Sequence, residues 1–160
     1  MYMINLGKQD LRWLQKAFNK KDFRDWIKNI LVVNGYAYAT NGHVIHKLKC
    51  AEEEISGSYD FNGIKIDDDL KLQDKISKMF NGFNDECGPL TLMFDRLNTL
   101  KLNDNLGIDL KYFNNATDKA DNIVVKLHDN KDRIYLHYEN REAIIMCVNL
   151  KFQKGNNHGQ

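Results

Sequence analysis

Residues 29–48 read NILVVNGYAYATNGHVIHKL, and this stretch decides the fold. Two Asn-Gly dipeptides, Asn34-Gly35 and Asn41-Gly42, separate three short runs that are rich in β-branched and aromatic residues. Both residue types tolerate the positive φ that a type I′ hairpin turn requires at its two central positions. The stretch therefore predicts an antiparallel meander of three strands. The predicted strands cover 30–33, 36–40 and 43–48.

Asn-Gly dipeptides occur twice more downstream, where they predict different structures. Asn62-Gly63 separates two short apolar runs and predicts a hairpin of 58–61 with 64–66. Asn81-Gly82 follows a segment with helical spacing, and Gly is common at the residue after a helix end. Apolar residues at helical intervals predict two amphipathic helices in the chain. These helices cover 9–20 and 69–80.

The C-terminal half alternates apolar and polar residues again, which predicts further strands. These strands cover 122–128, 133–138 and 143–152. The segment 90–113 is apolar, and strands are favoured over helix there, with a break near 103–105. The elements predict an α+β class with antiparallel sheet and two helices. No internal repeat of a fixed period is visible, so we expect one domain over 1–153 and a flexible polar tail over 154–160.

The charge of the chain is unevenly distributed along the sequence. The 160 residues include 23 Lys and Arg against 22 Asp and Glu, a formal net charge of +1. Residues 1–50 hold nine Lys or Arg and three Asp or Glu, a net of +6, whereas 51–160 hold fourteen and nineteen, a net of −5. A basic first third could present a positive face to a polyanion, although chance clustering of solvated side chains explains the difference equally well.

Hydropathy and cysteine usage limit the class of protein. No apolar run approaches the ~20 residues of a membrane span, and the first residues lack the features of a signal peptide. The three cysteines are odd in number and widely spaced, which is typical of reduced, mostly buried thiols. We therefore expect a cytoplasmic protein without disulfides.

Cationic residues share one face of each predicted helix. They stand at i, i+4 and i+8 in the first helix and at i, i+4 and i+7 in the second. Such faces bind phosphates without regard to base sequence, so these residues are candidates for DNA binding. The alternative is an ordinary solvated face, because Lys is a good helix former. The six candidates are Arg12, Lys16, Lys20, Lys71, Lys75 and Lys78.

One spacing invites a metal-site interpretation, since His43, His46 and Cys50 form an H-x2-H-x3-C pattern. On a strand, residues three apart point to opposite faces, and a closed zinc site also needs a fourth ligand. The acids at 67–69 lie near a helix start, where they complement the helix dipole. No phosphate-binding loop, metalloprotease motif or nucleophile elbow occurs. We expect no enzyme activity, no metal and no cofactor, although a Cys nucleophile with a distant His stays open.

The meander also carries a resemblance to a known family. Residues 39–43, Ala-Thr-Asn-Gly-His, and the strands around them resemble the opening of a domain of the bacterial β-type DNA polymerase sliding clamp. The family has Asp where this chain has Asn41, and its first helix would coincide with the first predicted helix. Residues 142–151 are similar to the family's closing strand, although Cys147 replaces a Pro there. The resemblance covers both ends of the chain and is thin in the middle.

This resemblance implies a clamp-like fold of two antiparallel sheets with two helices on one side. It implies that those helices face double-stranded DNA, which supports the six cationic candidates. Family members carry three such domains per chain and a ring needs six, whereas this chain supplies one. A homo-oligomeric ring, docking on DNA polymerase or another replication protein, and a phage origin are the corresponding expectations. The alternative is a protein-only interaction module, derived from a clamp domain, that modulates host replication machinery.

Overall fold

The predicted meander is present in the structure, a computed structural model. The described residues are 1–18, 28–51, 56–67, 73–93 and 98–150, so the tail expected over 154–160 lies outside them. The meander strands are β1 (Ile30–Val33), β2 (Tyr36–Thr40) and β3 (Val44–Lys49). Asn34 and Gly35 have φ of 50° and 79°, as a type I′ turn requires. Within the described ranges no helix is both long and apolar enough to cross a bilayer.

A second antiparallel meander lies in the C-terminal half. It consists of β10 (Val124–Leu127), β11 (Arg133–Tyr138) and β12 (Arg141–Met146). The strands predicted over 122–128 and 133–138 are present, whereas the one predicted over 143–152 ends at Met146 and the next strand belongs to a smaller sheet. The two meanders form one sheet because β12 pairs with β3, in a register that sets Ile145 opposite Val44. Short strands extend the sheet to nine: β4 (Gly57–Tyr59) and β5 (Lys65–Asp67) beside β1, and β6 (Asp85–Glu86) beside β10.

A smaller sheet of four strands comes mainly from the segment 90–113, where the sequence favours strands. Its spatial order is β13 (Val148–Asn149), β9 (Leu106–Asp109), β8 (Thr99–Lys101) and β7 (Thr91–Leu92). The expected break near 103–105 is the turn between β8 and β9. There the side-chain oxygen of Asn103 accepts hydrogen bonds from the backbone N–H groups of Asn105 and Leu106.

Each meander is preceded by a short helix. α1 (Lys8–Gln15) precedes β1, and α3 (Leu110–Thr117) precedes β10. The end of 90–113 is therefore helical where strand was expected. The carboxylate of Asp109 caps α3 by accepting a hydrogen bond from the N–H of Lys111. The fold is thus a repeated helix–meander unit, although the sequence shows no repeat of fixed period.

Side chains alternate between the two faces of the nine-stranded sheet. One face, which we call the core face, carries buried residues that include Val32, Ala39, Val44, Leu48 and Ile145. α1, α3 and the smaller sheet all contribute to this core, for example through Trp13, Ala116 and Ile108. The main hydrophobic core therefore lies between the large sheet and these three elements.

The opposite face, which we call the α2 face, carries a second apolar cluster formed by Leu31, Val33, Tyr38, Ile45 and Ile144. The remaining helix, α2 (Gln73–Met79), packs against it through Ile76 and Met79. The expected α+β class, with two antiparallel sheets and two helices on one side, is confirmed. The helix that shares the side of α1 is α3, whereas the helix expected over 69–80 lies on the other side of the sheet.

Candidate functional site

The cationic candidates fall on two sides of the large sheet. Arg12 and Lys16 are exposed on α1, which packs on the core face. Lys75 and Lys78 are exposed on α2, on the opposite side. The candidates Lys20 and Lys71 lie outside the described residues. The two stripes therefore do not form one surface, and phosphate binding by any of these residues stays a prediction.

The helix that sequence reasoning missed adds cations beside α1. Lys111 and Lys119 are exposed at the two ends of α3. The Nζ atom of Lys16 lies 3.0 Å from a carboxylate oxygen of Asp118, which ends α3 in the left-handed conformation with φ of 48°. This hydrogen bond lowers the pKa of Asp118. The exposed side of α1 and α3 thus carries cations, but Lys16 already has an anionic partner.

A charged junction lies beneath this surface and connects both helices to the sheet. The guanidinium of Arg141, on β12, donates to Asp10 at 3.1 Å and to the hydroxyl of Tyr138 at 3.2 Å. It also lies 3.6 Å from Asp118 and 5.3 Å from the ring centroid of Trp13. Because a buried guanidinium requires paired anions, Arg141 fixes the positions of α1 and α3 relative to the sheet.

His46 lies under the same tryptophan and is completely buried. Its ring stacks on the Trp13 ring at a centroid distance of 4.3 Å, and Nδ1 lies 2.8 Å from the Trp13 carbonyl oxygen. A carbonyl only accepts, so Nδ1 carries the proton and the Nε2 lone pair meets no donor among the described residues. Burial lowers the pKa of His46 from 6.5 to about 4, and the charges of Lys16 and Arg141 add to this effect.

The residues of the H-x2-H-x3-C pattern are in different environments. His46 and Cys50 are buried, whereas His43 is exposed and its ring lies 6.3 Å from that of Tyr112. Among the described residues, no group of three or more His, Cys, Asp or Glu is placed to hold a metal ion. His43 lies in the turn before β3 and His46 lies within β3, so the two side chains are in separate environments.

An apolar cavity of about 340 Å³ opens on the α2 face, between the sheet and α2. Its walls are the aliphatic side chains of Ile45, Ile76, Met79, Ile144 and Met146. Ile76 and Met79 come from α2, and Ile144 and Met146 come from β12. A cavity of this size and polarity accepts apolar side chains rather than a charged small molecule.

The rim of the cavity is formed by the turn between β2 and β3, which contributes Thr40, Gly42 and His43, and by Lys75 of α2. Side-chain hydrogen bonds fix this turn. The Asn41 side-chain oxygen accepts from the N–H groups of His43 and Val44, and the Thr40 hydroxyl donates to the Val44 carbonyl at 2.8 Å. Residues 39–43, whose sequence resembles the clamp family, therefore include three of the residues that line the cavity, although the sequence did not predict a cavity there.

A second, polar cavity of about 430 Å³ lies beside the first on the same face. The ammonium of Lys47 projects into an aromatic cluster, at 4.3 Å from the ring centroid of Tyr36 and 4.8 Å from that of Phe80. It also pairs with Glu142 at 3.4 Å, and Glu142 accepts a hydrogen bond from Tyr135. Burial raises the pKa of Tyr135, so its hydroxyl stays protonated and can donate.

The chain was compared with protein families, curated proteins and solved structures. No protein-family model matches the chain, and no curated protein does. Among solved structures, the chain is similar to the DNA polymerase III beta subunit from Thermotoga maritima at 15% sequence identity, with a TM-score of 0.46. The match covers 86% of this chain and 61% of that chain, so this chain spans less than two thirds of the length of the protein it matches.

Proposed function

We propose that this chain is a non-enzymatic, clamp-like protein of DNA replication that docks on replication proteins through the apolar cavity. The observation that carries this proposal is the position of the cavity. The Ala-Thr-Asn-Gly-His turn, which resembles the sliding-clamp family in sequence, contributes Thr40, Gly42 and His43 to the cavity rim. The partner is a segment of a replication protein, such as a DNA polymerase subunit, that inserts apolar side chains.

The chemistry of the rim narrows the properties of this segment. Lys75 is exposed at the rim, and its charge favours a segment that carries a carboxylate next to its apolar side chains. The aliphatic walls offer no charged group to a ligand, so the insertion itself would be driven by burial of apolar surface. The expected ligand is therefore a short peptide with one or two large aliphatic or aromatic residues flanked by Asp or Glu.

A peptide-binding measurement tests this proposal. Fluorescence anisotropy would be recorded with overlapping 12-residue peptides that cover a replicative polymerase from the same source. We expect one peptide to bind, and M146D to weaken it by at least tenfold, because the change places a carboxylate in the wall of the cavity that the sheet supplies. The matched control is I66D, because Ile66 is 57% exposed on β5, away from the cavity. If no peptide binds, or if both variants weaken binding equally, docking in this cavity is wrong.

Non-specific binding of duplex DNA is a second candidate function, favoured by the exposed cations of α1 and α3. Arg12, Lys111 and Lys119 are on the same side of the sheet, since both helices pack on the core face. We expect R12E to weaken duplex binding and to lower the salt slope by about 1, while K78E, on the opposite side, leaves both unchanged. Equal effects of the two substitutions would remove this surface from the proposal.

Two further outcomes separate the remaining alternatives. Peptide binding without any duplex binding at low salt favours the protein-only module that modulates host replication machinery. The proposal includes a homo-oligomeric ring, in which the edge strands β5 and β6 of neighbouring copies would pair. Light scattering tests this ring directly. A strict monomer at high protein concentration would remove the ring.

A further inference from the structure

α2 is held on the sheet by less buried surface than α1. Trp13 and Leu14 of α1 are at most 1% exposed, whereas Ile76 and Met79 of α2 are only half-buried. Seven residues of α2 belong to the described part of the chain, and in proteins the stability of such a segment comes mainly from tertiary packing. Its position over the cavity therefore depends on contacts made by neighbouring residues of the chain.

Phe80, the residue directly after α2, makes several of these contacts. The ring of Phe80 lies 5.9 Å from that of Tyr38 and 6.4 Å from that of Tyr135, in edge-to-face geometry. Its centroid is 4.8 Å from the Lys47 ammonium. We call Phe80 and these three partners the Phe80 latch. It attaches the C-terminal end of α2 to β2, β3 and β11.

The chain is fixed again two residues later, independently of α2. Gly82 has φ of 86°, and a Cβ atom there would lie 2.6 Å from the Nε2 atom of His128. The Gly82 carbonyl accepts a hydrogen bond from the N–H of Asp129 at 3.0 Å. Gly82 is therefore anchored to the turn between β10 and β11, so α2 can move without displacing the chain that follows it.

We propose that α2 is a displaceable cover of the apolar cavity, anchored at Gly82 and held closed by the Phe80 latch. This inference rests on the proposed docking function, because the cover regulates access to the same site. In the closed state, Ile76 and Met79 form one wall of the cavity. In the open state, Ile45 and Ile144 of the sheet become accessible to a longer apolar segment. The helix and the docked partner therefore compete for the α2 face.

Hydrogen exchange of the intact chain, followed by mass spectrometry, tests the cover without any partner. We expect the α2 amides to exchange faster than those of β3 and β12, since opening of α2 is local. F80A should accelerate exchange in α2 about tenfold, because it removes the aromatic pairs and the cation–π contact of the latch. F18A is the matched control, since Phe18 is half-buried and pairs with Phe61 at 5.3 Å, away from the cavity.

K47M keeps an apolar stem at the latch and removes its charge, so it should accelerate α2 exchange by a smaller factor than F80A. This variant preserves the test if F80A does not fold. A dye readout links opening to the cavity: 8-anilinonaphthalene-1-sulfonate fluorescence should rise several-fold in F80A and stay at the wild-type level in F18A. Any of three results would overturn the proposal that α2 is a cover. These are slow exchange of α2 in the wild type, no acceleration of α2 exchange in either latch variant, and accelerated exchange without increased dye fluorescence. None of these readouts depends on docking, so a failure of the docking proposal is recognised separately.

Discussion

The buried histidine under Trp13 predicts a specific loss of stability in mild acid. In the folded chain the pKa of His46 is lowered from 6.5 to about 4 by burial. Above pH 6.5 the imidazole is neutral in both the folded and the unfolded state. As the pH falls from 6.5 to about 4, the unfolded chain takes up a proton that the folded chain refuses, so the free energy of unfolding decreases. Below about pH 4 both states are protonated and the loss is complete.

The size of this effect follows from the pKa difference between the two states. A change from 6.5 to about 4 corresponds to about 3 kcal/mol of unfolding free energy. That is a large share of the ~5–15 kcal/mol that stabilises an ordinary domain. The structural cause is specific, since Nδ1 is committed to the Trp13 carbonyl and protonated Nε2 would have no acceptor among the described residues.

Urea denaturation of three proteins between pH 7 and pH 4 measures this effect. H46Q keeps a donor for the Trp13 carbonyl but cannot be protonated, so its unfolding free energy should fall by about 3 kcal/mol less than that of the wild type. The carboxyl groups titrate equally in the wild type and in H46Q, so their contribution cancels in the difference between the two pH profiles. H137Q, at an exposed position on β11, is the matched control. Parallel pH profiles of wild type and H46Q would refute the argument.

Three further outcomes follow from the same structure. R141M should lower the unfolding free energy by about 1–3 kcal/mol, because it removes the hydrogen bonds of the guanidinium to Asp10 and Tyr138. K101M, at an exposed ion pair, should cost at most about 1 kcal/mol, and chemical denaturation measures both. G82A should lower the free energy of unfolding by more than about 1 kcal/mol, because Gly82 has a positive φ and an added Cβ would lie 2.6 Å from the His128 imidazole. Thermal melts measure this loss, and G88A is the neutral control because nothing lies within 4 Å of a Cβ placed at Gly88. Burial raises the pKa of Cys147 to about 12, so alkylation by iodoacetamide at pH 8 should be slow until urea unfolds the chain, as mass spectrometry would record.

The meanders were predictable because their signals are local. Asn34-Gly35 dictates a type I′ turn whatever surrounds it, and strict alternation in 133–138 places one row of side chains on each face. α3 was not predictable in the same way. Tyr112 and Phe113 favour strands, Asn114 and Asn115 are poor helix formers, and the helix is held by packing on the sheet. The Asp109 cap was the available signal for its start.

The candidate site was only partly predictable, for a physical reason. Helical spacing shows which residues share a face of one helix, but it does not show on which side of a sheet that helix packs. The opposite placement of α1 and α2 depends on tertiary contacts such as those of Trp13 and Met79. The sequence did not predict the cavity, because its aliphatic walls come from three separate parts of the chain.

The repeated helix–meander unit has a consequence for how the chain folds. Each meander is made of neighbouring hairpins, and such contacts close within microseconds because few residues separate the paired strands. The pairing of β3 with β12 is different, since Val44 and Ile145 are 101 positions apart. Forming it requires closure of a long loop, whose entropy must be lost before its contacts contribute. We therefore expect the two meanders to form quickly and the pairing of β3 with β12 to form slowly after them. Substitutions at the β3–β12 pair should slow folding more than equally destabilising substitutions inside either meander.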